Sequence, residues 1–135
     1  MPFRIVVAKE LADFLGAIAH PARVRLIEEL RDDERDVSSL SAASELSQSS
    51  TSQHLMVLRT HRVVVERREG RHVLYRLRQP KLAEWLAEAV DLLPESASEV
   101  DDVRQAIRKV RSVWKPAKNK RNKSSDHSPG NGQSD

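Results

Sequence analysis

A run of short polar side chains lies between residues 46 and 60, where the sequence reads LSQSSTSQHLMVLRT. Thr51, Leu55 and Leu58 recur at the spacing of one face of an α-helix, and Ser47 can accept hydrogen bonds from the free N–H groups of the first turn. The opposite face carries mainly uncharged donors and acceptors, namely Gln48, Ser49, Ser52 and Gln53, with Met56 beside them. Glutamine can pair with two atoms of adenine, and serine can donate to or accept from any base edge. The pattern therefore predicts a helix that is anchored by one face and can read DNA bases with the other, which we term the reader helix. A solvated polar face is the alternative for this segment taken alone.

Basic side chains crowd the segment that follows. Residues 59–81 hold eight basic and two acidic residues, whereas residues 1–103 as a whole hold 14 basic and 18 acidic ones. The periodicity changes there to alternation over 63–68 and 71–77, and Glu69-Gly70 supplies the turn of a β-hairpin. The residues expected to face the core are Val63, Val65, Val73, Tyr75 and Leu77. The arginines left on the tip and outer face are Arg67, Arg68, Arg71, Arg76 and Arg78, and they would repel one another unless an anion lay alongside.

The elements that must position these two surfaces precede them in the chain. An amphipathic helix is expected over residues 8–19, a second helix from Pro21 to about Arg31, a charged turn over 32–36 and a short third helix over 37–44. The third helix and the reader helix, joined by a tight turn, form a helix-turn-helix, and the arginine-tipped hairpin makes it a winged helix. The predicted fold is thus mainly α (α+β), a winged helix-turn-helix with a two-stranded hairpin wing and additional C-terminal helices.

Three motifs of this chain, taken together and in their order, resemble the ArsR/SmtB family of small bacterial winged-helix repressors. They are HPARVRLIEEL, LSQSSTSQHLMVLR and VVVERREGRHVLYRL. The resemblance covers residues 8–93. It implies a homodimer whose first and last core helices pair across the two-fold axis, and which binds a palindromic operator and represses transcription. Two apolar stripes also exceed what a three-helix core must cover, which favours an interface. The predicted interface residues are Leu11, Phe14, Leu15, Ile18, Leu82, Trp85, Leu86 and Ala89.

Double-stranded DNA is accordingly the expected partner, together with a second copy of the chain. The predicted DNA-binding residues of the reader helix are Ser47, Gln48, Ser49, Ser50, Ser52, Gln53 and Arg59. Those of the wing are Arg67, Arg68, Arg71 and His72. The wing would contact phosphates or enter the minor groove while the reader helix lies in the major groove.

The chain departs from the family pattern at three positions. The family usually has glycine in the turn before the reader helix and again just after it, where this chain has Glu45 and Arg62, and it commonly has valine where this chain has Thr51. If Glu45 and Arg62 keep a left-handed backbone, each costs on the order of 1 kcal/mol.

The metal ligands of the metal-sensing family members are also missing from this sequence. Such members use cysteines before the reader helix, and this chain has no cysteine. Others use carboxylates with histidine on the last core helix, and residues 81–93 contain no histidine. The five histidines, His20, His54, His61, His72 and His127, include no pair spaced to share a helix face. We therefore predict no metal site, no cofactor and no thiol-based sensing.

The sequence also indicates the class of protein and its expected location. No glycine-rich phosphate loop, nucleophile turn or buried carboxylate pair predicts an enzyme. No signal peptide or membrane span is evident, so the expected location is the bacterial cytoplasm, on the nucleoid when DNA is bound.

We divide the chain into a DNA-binding and dimerisation domain at 1–93, a C-terminal helix within 94–114 that Ser98 could cap, and a disordered basic and polar tail at 115–135. The alternative function is a protein-interaction module on a winged-helix scaffold, with 98–114 as its docking surface and DNA binding incidental.

Overall fold

The computed structural model of the protein describes residues 2–93 and 101–113. Its elements are α1 (Pro2–Ile18), α2 (Pro21–Glu29), β1 (Arg35–Asp36), α3 (Val37–Ser44), α4 (Gln48–Thr60), β2 (Val64–Glu69), β3 (His72–Leu77), α5 (Lys81–Ala89), a 3-10 turn (Val90–Leu92) and α6 (Asp101–Val113). This order of helices, hairpin and helix confirms the predicted winged helix-turn-helix. The predicted cap at Ser98 and the predicted tail at 115–135 lie outside the described residues.

Helix α1 begins at Pro2, so the prediction that it begins at residue 8 is wrong. Proline fits the first turn of a helix because its missing N–H would have no helical partner there, and no glycine or proline interrupts the next thirteen residues. The helix ends at Ile18. His20 then caps α2, its Nδ1 accepting from the N–H of Ala22 at 3.0 Å, and Pro21 occupies the first position of α2 as predicted.

A compact set of aliphatic side chains forms the core where α2, α3, α4 and the hairpin meet. Leu26 and Ile27 of α2, Leu40 of α3, and Leu55 and Leu58 of α4 have no solvent exposure. Full burial of each such side chain contributes about 1.5–3 kcal/mol to folding. The reader helix is therefore held on its inner side by the best-packed part of the molecule.

The sheet contains a third strand that the sequence did not predict. Its strand order is β1-β3-β2, and β1 pairs antiparallel with β3 through Arg35 with Tyr75 and Asp36 with Leu74. The prediction of a charged turn is therefore wrong for Arg35 and Asp36. Arg35 is held by an ion pair with Glu29 and by a 2.8 Å hydrogen bond to Ser39 Oγ, while Asp36 Oδ1 accepts from the N–H of Ser39 at 2.7 Å and caps α3. These contacts fix the two residues in extended form.

The hairpin itself pairs Val64 with Leu77 at its base and Glu69 with His72 at its tip, and Gly70 supplies the expected positive φ of 59°. Val64 is the strand valine that enters the core, at 1 % exposure, whereas Val65 faces the other side opposite Arg76 and is half-buried. The prediction that Val65 faces the core is therefore wrong. Val63 is buried as expected, but it lies before the strand, and a one-residue shift of register exchanges the two faces.

Glu45, which ends α3, and Arg62, which follows the reader helix, both have left-handed backbone. Glu45 has φ 55° and ψ 36°, and Arg62 has φ 57°. These are the two positions where the related family usually has glycine, so the chain keeps the turn geometry without the residue that adopts it most easily. The turn at Glu45 lets the N–H of Leu46 donate to Ser41 O at 3.1 Å, which closes α3 and directs the chain into α4.

Candidate nucleic-acid interface

The reader helix α4 is anchored as its sequence pattern indicates. Ser47 Oγ accepts from the N–H of Ser50 at 3.0 Å, so Ser47 is the N-cap, and Ser50 is half-buried beneath it. Thr51 is fully buried although it is polar, because its Oγ1 donates to Ser47 O at 2.8 Å. The helix thus presents a fixed outer face at its N-terminal end.

That outer face consists of exposed, uncharged side chains. Gln48, Ser49, Ser52 and Gln53 are all exposed, with Met56 next to them. Gln48 Nε2 donates to Ser38 Oγ at 3.3 Å, which steadies it against α3. Within the described part of the chain the structure gives the side chains of Ser49, Ser52 and Gln53 no protein hydrogen bond. Their donors and acceptors are therefore available to an outside partner.

The wing tip presents free arginines. Arg68 and Arg71 flank Gly70, are exposed, and have no ion pair among residues 2–93 and 101–113. His72 follows them, with its Nδ1 3.9 Å from Asp36 Oδ2. Two unpaired guanidinium groups at the end of a hairpin are suited to phosphate oxygens, which they can contact through two parallel hydrogen bonds.

Arg67 differs from its neighbours because acidic residues of the protein neutralise it. Its guanidinium pairs with Glu34, with Nε 3.1 Å from Oε2, and also lies 3.1 Å from Glu69 Oε2. The hydrogen bonds from Arg67 hold the pKa of Glu34 below its ordinary value. The anions beside Arg67 are thus carboxylates of the protein itself, and the pair with Glu34 ties the wing to the loop before β1. The contact of Arg67 with DNA stays a prediction.

Arg59 joins the reader helix to the base of the wing. Its Nη1 lies 2.7 Å from Glu66 Oε1, and Tyr75 is the cross-strand neighbour of Glu66. Burial, and then the charge of Glu66, raise the pKa of Tyr75. The side chain of Arg59 is thus directed to the hairpin rather than lying free on the reading face.

Two histidines and an arginine meet where α2 begins and α4 passes, a cluster that the sequence did not predict. The rings of His20 and His54 have centroids 4.4 Å apart, and Arg23 Nη1 lies 3.4 Å from His54 Nδ1. Burial, followed by the charges of His20 and Arg23, lowers the pKa of His54. His54 therefore packs between helices, and its neutral form is favoured.

The predicted interface residues divide into two groups. Leu11, Leu15 and Trp85 are exposed, while Phe14, Leu86 and Ala89 are half-buried. Ile18 and Leu82, at 4 % and 8 % exposure, belong to the core of the single chain, and their place at a dimer interface stays a prediction.

The early start of α1 adds apolar surface that the sequence pattern did not indicate. Phe3, Ile5, Val6 and Val7 are exposed along its first two turns. Their side chains extend the surface formed by Leu11 and Leu15 towards the N-terminus.

No three histidine or carboxylate side chains of segments 2–93 and 101–113 come together as a metal-binding group. Within the same segments, no helix is long and apolar enough to cross a lipid bilayer.

A capped helix with an exposed neutral face, set beside a hairpin tipped with unpaired arginines, defines a winged-helix DNA-binding protein. The family model described as bacterial regulatory protein, arsR family, matches residues 20–65, from the N-cap of α2 into β2. The chain is 39% identical over 89 residues to the transcriptional repressor SmtB homolog of Synechocystis, covering 66% of this chain and 67% of that protein. It is 41% identical over 76 residues to the biofilm growth-associated repressor of Agrobacterium fabrum, covering 56% and 65%. The chain belongs to the ArsR family.

Solved structures agree with this assignment. The crystal structure of NolR from Sinorhizobium fredii superposes with a TM-score of 0.62 at 30% identity, over 68% of this chain and 92% of that one. A solution structure of the homodimeric winged helix-turn-helix DNA-binding domain of Mb0332 from Mycobacterium bovis has a TM-score of 0.59 at 24% identity, over 66% and 82%, and shares the fold. The protein is therefore a DNA-binding transcriptional regulator and not an enzyme.

Proposed function

We propose that this protein is a homodimeric repressor that binds a palindromic operator, with α4 in the major groove and the wing on the phosphate backbone. The observation that carries the proposal is the free, uncharged outer face of α4 beside the two unpaired arginines of the wing tip. Gln48, Ser49, Ser52 and Gln53 read base edges, and Ser47 and Ser50 contact the backbone near the helix N-terminus. The repressor names of the Synechocystis and Agrobacterium relatives support the direction of regulation.

Dimerisation is supported by the apolar surface that α1 and α5 leave exposed. Leu11, Leu15 and Trp85 lie on it with the first turns of α1, and a monomer would keep these side chains in water. The homodimeric state of the Mycobacterium bovis domain supports the same arrangement. A two-fold dimer carries two copies of α4, and these would read two half-sites related by the same symmetry.

Residues 1–93 form the DNA-binding and dimerisation unit, 94–114 a C-terminal helical segment, and 115–135 a basic and polar tail. A chain without cysteine offers no thiolate, and oxygen ligands alone hold transition metals weakly, so the regulator acts without metal or thiol sensing. It acts in the cytoplasm, on the nucleoid when bound.

The experiment that tests the function is fluorescence anisotropy over a salt series. The purified full chain is titrated against a duplex from upstream of its own gene and against a scrambled duplex. A preference of about a hundredfold for its own DNA, with two chains per site, is expected. Equal, weak and steeply salt-dependent binding to both duplexes would contradict the proposal and favour the protein-interaction module.

We expect Arg68→Ala with Arg71→Ala to weaken binding to every duplex and to flatten the salt dependence. The slope should fall by about one for each phosphate group that the wing no longer neutralises. Arg67→Ala is the comparison variant because its guanidinium is already neutralised by Glu34 and Glu69, so the slope should change less. An equal change of slope for Arg67→Ala would show that the protein ion pairs do not withhold Arg67 from DNA.

We expect Gln53→Ala to relax base preference more than it lowers affinity. The loss of a base-reading amide should cost about 1–3 kcal/mol on the preferred sequence and much less on others. Gln105→Ala, at an exposed glutamine of α6, is the matched control. If Gln53→Ala lowered affinity for every duplex equally, Gln53 would not read bases.

A further inference from the structure

We propose that the base of the wing holds a second binding site, for a small organic dianion such as a phosphate ester, separate from the DNA-contacting surface. A depression opens between the C-terminal end of α4 and the open end of the hairpin. It is lined by Arg59, Arg62, Val64, Val65, Glu66 and Arg78. Of these residues only Arg59 is among the predicted DNA contacts, and its guanidinium is held by Glu66, so the inference can be tested independently of DNA binding.

The charges that line the depression do not balance. Three guanidinium groups face one carboxylate, that of Glu66, which leaves two positive charges. Glu66 is already engaged by Arg59, whose Nη1 lies 2.7 Å from Glu66 Oε1. Arg62 and Arg78 have no ion pair in the described part of the chain. A dianion would neutralise the excess, and planar guanidinium groups fit phosphate oxygens through paired hydrogen bonds.

The backbone holds the two unpaired arginines beside each other. Arg62 is fixed in the left-handed turn that ends α4, where its N–H donates to Arg59 O at 3.0 Å. The N–H of Arg78 donates to Val63 O, also at 3.0 Å, which clamps the end of β3 to the residue after Arg62. The like charges are therefore kept close by main-chain hydrogen bonds, and reorganisation of the backbone is not needed when an anion binds.

The depression lies far from the DNA-contacting ends of both elements. Arg59 comes eleven residues after Gln48, or about 16 Å along the helix axis. Val65 lies five residues before Gly70, or about 17 Å along the strand. A phosphate held at the wing tip or at the start of α4 would not reach the depression. Val64 and Val65 line the depression, and the half-buried side chain of Val65 gives it an apolar wall, which favours an organic ester over inorganic phosphate.

An anion at this position would act on the link between reader helix and wing. It competes with Glu66 for Arg59, and the Arg59–Glu66 pair joins α4 to β2. Loosening this pair should weaken DNA binding, because α4 and the wing must engage the duplex together. By linkage, bound DNA should weaken anion binding by the same factor.

Calorimetric titration of the full chain with phenyl phosphate, at constant ionic strength and without DNA, tests the site. The variant Arg62→Gln with Arg78→Gln removes the unpaired charges of the depression and keeps a non-glycine residue at the left-handed position. The charge-matched control is Arg68→Gln with Arg71→Gln at the wing tip. We expect the first pair to weaken phenyl phosphate binding about tenfold or more, as the loss of charge-assisted hydrogen bonds should. The control pair should leave it within about twofold while it flattens the salt dependence of DNA binding.

Several results would overturn the inference. One is no saturable binding of phenyl phosphate by the wild-type chain, and another is an equal loss in both variant pairs, which would indicate diffuse charge only. A third is that Arg62→Gln with Arg78→Gln changes the salt slope of DNA binding and not the phenyl phosphate affinity, which would make the ligand a DNA phosphate. Far-UV circular dichroism verifies that each variant is folded. Because the titration contains no DNA, its result can be interpreted even if the proposed operator binding is wrong.

Discussion

Replacing Glu45 with glycine should stabilise the fold. Glu45 ends α3 with φ 55° and ψ 36°, and its side chain is exposed. In this region the Cβ of an L-residue lies too close to the following carbonyl oxygen, and glycine removes that clash. The change should leave the turn in place, since the hydrogen bonds of the turn are made by the main chain, including Leu46 N–H to Ser41 O.

The expected gain is the difference between two terms. The left-handed conformation costs a non-glycine residue about 1–2 kcal/mol. Glycine has more conformational freedom in the unfolded chain, which costs about 0.4–1 kcal/mol. The net stabilisation is therefore about 0.5–1 kcal/mol, or about 2–8 °C in the midpoint of thermal unfolding for a domain of this size.

Urea unfolding followed by far-UV circular dichroism, at one fixed chain concentration, measures the change. Glu45→Ala is the matched control, because it removes the carboxylate near the negative end of α3 but keeps the Cβ. Glu45→Gly should exceed Glu45→Ala by about the full value given above. Equal stability of the two variants would refute the reasoning, since the gain would then come from charge and not from the backbone.

Two other predictions follow from the surroundings of the reader helix. Thr51→Val should change the free energy of unfolding by less than about 1 kcal/mol. When the hydroxyl is removed, Ser47 O still accepts the hydrogen bond from the N–H of residue 51, at 3.0 Å. A loss of several kcal/mol in urea unfolding would contradict this prediction. Because the pKa of His54 is lowered from 6.5, its neutral form contributes stability above that value, and this contribution is lost as the pH falls through the lower pKa of the folded state. His54→Gln should therefore make the free energy of unfolding fall less steeply as the pH decreases from about 7.5 to about 5. If urea unfolding gave the same pH profile for this variant and the wild type, the decrease in stability would not come from His54.

Local signals explain what the sequence predicted well. The cap at Ser47, the buried series Thr51, Leu55 and Leu58, and the turn at Gly70 all depend on residues within a few positions of one another. Helix periodicity and cap chemistry act over that range, so the bounds of α3 and α4 follow from the sequence. The positions of Glu45 and Arg62 followed from the family resemblance, and the structure shows that their left-handed backbone is kept.

Long-range contacts explain what the sequence missed. Two residues, Arg35 and Asp36, carry no strand signal of their own, and their pairing depends on β3 some forty residues later. Three consecutive valines at 63–65 give no alternation, so the left-handed turn at Arg62 decides which valine enters the core. The partner of Arg67 is Glu34, 33 positions away, and a list of exposed arginines cannot distinguish it from Arg68.

The central position of β3 has a consequence for the order of folding. Strand β3 lies between β1 and β2, and Asp36 of β1 also caps α3. Closing the pair Arg35 with Tyr75 encloses α3 and α4 in one loop, and such a closure is entropically favourable only after the helices have shortened the chain between its ends. We therefore expect the helix-turn-helix to collapse first and the three-stranded sheet to close over it late. A fragment that stops before β3 would leave two unpaired strand edges exposed to neighbouring molecules.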